Sequence, residues 1–187
     1  TDNTWFEFLA NRKLDEVNFW QPSATPPFKR APVGLPFLFK LKRPFNHVAG
    51  GGFFVAYSKL PIAMAWEVFG EKNGARSLNE FRSLIEPLTG NGSGAEVGCT
   101  ILTNPVFLNQ ADWLANPAGW SSNIVRGKMF STDEIDGQSI WNGIRTHFEQ
   151  PAQSTPVLGL NALHEPQQKY GAPVLVKPRL RQGSFSI

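Results

Sequence analysis

Apolar positions along this chain fall into short stretches of helical and of alternating period. Trp5, Phe6 and Leu9 share one face of a helix over Asn3–Ala10, with Asp2 placed to cap it. Asn18–Ser23 reads as a strand end or turn, since Pro22 denies a helix. Thr25–Gly34 holds three prolines and reads as an irregular loop. Leu35–Lys42 alternates: Phe37, Phe39 and Leu41 on one face, Leu38, Lys40 and Lys42 on the other, which predicts a half-buried strand. Arg43–Asn46 makes a turn, and Val48–Tyr57 returns as a second strand. Its Gly50, Gly51 and Gly52 mark a bulge or a close approach of another backbone.

Further on, Pro61 suits the first turn of a helix that ends at Gly70. Ser77 and Glu80 form a capping-box pattern for the next helix, with Leu78, Phe81, Leu84, Ile85 and Leu88 at helical spacing. Val97–Leu108 reads as a strand interrupted at Pro105, Ala111–Pro117 as a short helix or loop, and Asn123–Phe130 as a short strand. Gly137–Gln150 is a full helix with Ile140, Trp141, Ile144, His147 and Phe148 inward. The chain is then loop-like to Lys169. Val174–Val176 is a last strand, and Pro178–Ile187 a basic, irregular tail. There is no regular β-α-β alternation, so the expected class is α+β, with a curved mixed sheet or small β-barrel flanked by helices.

Charge changes this picture. The window from Val17 to Trp66 contains no Asp or Glu but six Lys and Arg among many aromatic rings, although the net charge is only +3. Cations with interleaved rings suit a nucleic-acid reader, in which phosphates are neutralised and bases stack. Rings as strand core with merely solvated cations fit the same pattern, so both readings stay open. Trp20 and Trp120 stand out because each sits in a polar, proline-bearing loop, NFWQPS and NPAGWSSN; large rings there often serve as ligand platforms. Asn123 offers an amide that can donate to and accept from a base edge.

The signs of catalysis are weak. His47, His147 and His164 lack metal-ligand spacing; no nucleophile elbow, phosphate loop or dinucleotide fingerprint occurs. The acid pairs Asp15/Glu16 and Asp133/Glu134 read as solvated charges. Cys99, alone, excludes an internal disulfide and reads as a small buried group. The expectation is a binding module with no cofactor and no catalytic residue, in a reducing cytoplasm and without a membrane span. The chain begins at Thr1, which reads as a piece of a longer protein.

Five stretches taken in order, NFWQPS, PFLFKLKRPFNHVAGGGFFVAYS, AWEVFGEKNGA, GCTIL with NPVF, and W-SNIVRGKMF, resemble the N-terminal domain of bacterial HNH restriction endonucleases. That domain is similar to the PUA-like superfamily, with its EVE, YTH and SRA modified-base readers. The resemblance implies a reader domain over residues 1–150, a first strand upstream of Thr1, and an extension over 151–187 leading to an HNH nuclease. It implies bacterial, cytoplasmic recognition of 5-methyl- or 5-hydroxymethylcytosine in double-stranded DNA, the base being flipped into an aromatic pocket. On the matching positions, Trp20 and Trp120 would wall the pocket, and Ser23 and Asn123 would meet the base edge. Lys29, Arg30, Lys40, Lys42, Arg43, His47, Arg126 and Lys128 would bind phosphates. An RNA-binding PUA-like module and a small-molecule or protein-interaction domain remain as alternatives, and a homodimeric parent is compatible with either.

Overall fold

Three glycines decide how the central strands meet. The computed structural model describes residues 1–22, 26, 31–89, 95–117, 120, 127–149 and the backbone of 184–186. Strand β3 (His47–Pro61) runs antiparallel between β2 (Pro36–Lys40) and β4 (Glu96–Phe107). A Cβ at Gly50 would lie 2.2 Å from the Val106 carbonyl oxygen, and one at Gly51 2.6 Å from that of Phe37. The expected close approach is therefore found on both sides of β3. The β3–β4 register shifts between Gly51 and Phe53, beside Pro105 and Asn104, whose φ is 48°.

The remaining strands are β1 (Glu16–Gln21), β5 (Leu114–Ala115), β6 (Met129–Ser131) and β7 (Ser184–Ser186). The order β1-β4-β3-β2-β7-β6, with β5 on β3, makes an open sheet that is antiparallel except where β7 runs parallel to β2. Four α-helices are described: α1 (Asn3–Ala10), α2 (Ile62–Phe69), α3 (Leu78–Thr89) and α4 (Ile135–Glu149). The coarse α+β class is thus observed.

Asp2 caps α1 as expected, accepting from the Thr4 and Trp5 amides at 3.0 and 3.3 Å. Helix α1 buries Trp5, Phe6 and Leu9 against Phe37, Phe39 and Leu41 on one face of β2. The other face was expected to be open, yet Leu38 is buried as well. It packs with Ile140 and Ile144 of α4, so a helix a hundred residues away covers the face that alternation left to solvent. Helices α2 and α3 bury Ile62, Ala65, Phe69, Phe81 and Ile85 against Val97 and Cys99 of β4. Ser77 caps α3, its hydroxyl accepting from the Glu80 amide, while the Glu80 carboxylate accepts from the Arg76 amide and not from Ser77.

One expectation needs correction at the C-terminal end, and another cannot be compared. Residues 174–176 lie outside the described part. The tail read as irregular contributes β7, seated between β2 and β6. Three residues among polar neighbours carry no legible period; the two unpaired strand edges select this segment.

Candidate nucleic-acid interface

Strand alternation places Lys40 on the face of β2 that carries Leu38, toward α4. Its ammonium donates to Asn46 Oδ1 at 3.0 Å and lies 5.4 Å from the centroid of the Trp120 ring. Trp120 stacks on Phe130 with centroids 5.9 Å apart and planes 17° from parallel. Lys128, two residues before Phe130, holds its ammonium 4.6 Å from that ring. The result is a pair of stacked rings with an ammonium group on each, in the geometry of cation–π attraction. Burial, and then the charge of Arg43, lower the Lys40 pKa from its ordinary value.

The hairpin turn after β2 is fastened to α1. Lys42 pairs with Asp2 at 3.1 Å, its amide donates to Asn3 Oδ1, and Asn3 Nδ2 donates to the Arg43 carbonyl. The Arg43–Pro44 peptide is cis and the Arg43 side chain is exposed. His47 Nδ1 is hydrogen-bonded to the Phe45 carbonyl, and its ring lies 6.3 Å from Trp113, which also meets Phe45 edge-on. His47 thus belongs to the packing of the hairpin. Its Nδ1–H serves the chain's own backbone.

Trp20 takes a different place from the one expected. It lies on β1, opposite Cys99, with its ring edge-on to Phe81 of α3 at 5.7 Å. Its indole N–H donates to the Asn73 carbonyl at 3.0 Å. Trp120 packs instead with Leu38, Phe130 and Ile140. The two indoles rest on separate cores, one by the β1 edge of the sheet and the other by β2 and β6. They do not form two walls of one pocket, because a buried carbonyl and a helix claim Trp20. Ser23, Asn123, Lys29, Arg30 and Arg126 lie outside the described residues.

A hub that sequence reasoning passed over explains Trp20. Asn73, fully buried in the 3-10 turn Gly70–Asn73, donates to the Ala65 and Gly70 carbonyls and accepts from Asn18 Nδ2 at 2.8 Å. The Trp5 indole in turn donates to the Asn18 carbonyl. An Asn between a charged residue and Gly in EKNGA was the available signal for such a turn. Phe130 was equally missed, although the spacing of Lys128 and Phe130 puts both on one side of a strand.

The acid-free window is not free of counter-charges once folded. Besides Lys42 with Asp2, Lys59 pairs with Glu96 at 3.1 Å. Among the described residues no carboxylate pairs with Lys40, Arg43 or Lys128. Cys99 is buried, which raises its thiol pKa. Among the described residues no group of His, Cys, Asp and Glu could hold a metal ion, and no helix is long and apolar enough to cross a membrane. No family model, no curated protein and no solved structure matches the chain.

Proposed function

We propose that this domain binds DNA through the side of the sheet that carries Lys40, Arg43, Lys128 and Trp120. The observation behind this reading is the Trp120–Phe130 stack with Lys40 and Lys128 set against its rings. Phosphates attract cations that no carboxylate already neutralises. An incoming phosphate would compete with the Trp120 ring for the Lys40 ammonium, leaving ring area for an unstacked base. Base–aromatic stacking returns about 1–3 kcal/mol, enough to offset much of the cost of extrusion. Modified cytosine is the target that the resemblance implies, and the same reading takes the open sheet as a PUA-like variant. Trp20 has no part in it.

Fluorescence anisotropy with duplexes containing cytosine, 5-methylcytosine or 5-hydroxymethylcytosine tests the proposal. Tighter binding of a modified duplex is expected, with the preference lost in Trp120→Ala. Equal affinity for all three duplexes would remove the modified base from the reading. No binding at low salt would remove DNA altogether, and tighter binding of a matching RNA would turn the interface into an RNA site.

A further inference from the structure

Strand β7 is short, yet it joins two parts of the sheet. It registers with β6 at three positions, Ser184 with Ser131, Phe185 with Phe130 and Ser186 with Met129. It registers with β2 at one, Ser186 with Phe37. Among the described residues β6 has no other strand partner. Helix α4 holds β6 from one face, with Phe130 against Ile140 and Ile144, but the ladder that ties β6 to β2 runs through β7. Neither β2 nor β6 is adjacent to β7 in sequence, so no hairpin turn delivers it to its slot. Pairing over such a separation carries a closure entropy that a hairpin largely escapes. Elements with so few pairings open at a free energy well below that of global unfolding.

The slot lies between the two halves of the proposed interface. Lys40 ends β2, whereas Lys128 directly precedes β6, which carries Phe130 beneath Trp120. With β7 seated, ladder spacing fixes the separation of these two strands. With β7 out, β6 keeps its contact with α4 and loses its register to β2. We propose that β7 is a reversible insert that switches this interface: the domain grips DNA when the strand is seated and loses much of that affinity when it leaves. This rests on the DNA reading of the same site and adds its control. Coupling between sites is reciprocal, so bound DNA must in turn favour the seated strand.

Two measurements on the whole chain test this. Ser186 registers with both neighbours of β7. Ser186→Pro removes its backbone donor and breaks the ladder there, while Ser186→Ala keeps the donor. Anisotropy with the 5-methylcytosine duplex should show affinity lowered about tenfold or more in Ser186→Pro and unchanged in Ser186→Ala. The unfolding midpoint of Ser186→Pro should stay near that of the wild type, because α1, α2 and α3 pack on β1 to β4 without β6. The second measurement is amide hydrogen exchange of the unaltered chain. Residues 129–131 and 184–186 should exchange faster than β3 and β4, and slow down together when the duplex is added. Equal affinity of Ser186→Pro and the wild type would overturn the strand inference and leave the DNA reading standing. So would a loss as large in Ser186→Ala, exchange of 184–186 as slow as that of β3 and β4, or exchange that DNA leaves unchanged. No binding by the wild type would remove the DNA reading, and this inference with it.

Discussion

Replacing Trp20 by alanine should unfold this domain more easily and leave its surface chemistry alone. The side chain is half-buried, its ring meets Phe81 at 5.7 Å, and its N–H serves the carbonyl of fully buried Asn73. Truncating a buried Trp costs about 3–5 kcal/mol; partial exposure puts Trp20 near about 3. The carbonyl left without a donor adds about 1 kcal/mol. A urea slope of about 2 kcal/mol per molar turns a loss of about 4 kcal/mol into a midpoint lowered by about 2 M. Trp20→Phe keeps a ring against Phe81 and loses only the N–H, so its midpoint should fall by about 0.5 M. Urea unfolding followed by circular dichroism measures both. Anisotropy below the unfolding transition should show unchanged DNA affinity in Trp20→Phe. Suppose instead that Trp20→Ala keeps the wild-type midpoint and loses DNA binding. The ring would then be a ligand wall, and the packing argument would be wrong.

Three other outcomes follow from the same geometry. Gly74→Ala should lower the urea midpoint far more than Gly70→Ala. Both glycines have positive φ, 77° and 49°, but a Cβ at Gly74 would lie 2.2 Å from Trp5 Cδ1, whereas one at Gly70 meets nothing within 4 Å; the Gly70 change should cost the backbone strain alone, about 1–3 kcal/mol. Burial alone would raise the Asp2 pKa, but Lys42 and the Trp5 and Thr4 amides outweigh it and hold the carboxyl below its ordinary value. A depressed folded pKa stabilises above the ordinary carboxylate range and is lost as pH falls through the folded value. Asp2→Ala should therefore cost about 1 kcal/mol at pH 7 and progressively less in acid, as urea midpoints across that range would show. On DNA, Lys40→Gln should flatten the dependence of log affinity on log salt by about 0.9, while Lys59→Gln, already paired with Glu96, should leave it nearly unchanged.

What could be read from the sequence was local. Asp2 capping a helix needs only neighbours within one turn, and Gly50–Gly52 announce a close approach whatever the partner strand. Each misreading concerned a partner far along the chain. Trp20 finds Asn73 across 53 residues; Leu38 is covered by a helix that begins at Ile135. The window from Val17 to Trp66 looked like a positive flank because its acids lie elsewhere. The fold returns two of them, Asp2 and Glu96, to Lys42 and Lys59. An acid-free segment is therefore a statement about sequence order, and a charged surface is a statement about what remains after pairing. By that criterion Lys40 matters more than Lys42, two residues away. Alternation turns Lys40 toward Trp120, where the described structure supplies an amide and a ring but no carboxylate. A cation held that way keeps its charge for a ligand, and the difference between the two lysines arises because β2 ends at Lys40, so that Lys42, in the turn beyond the strand, reaches Asp2.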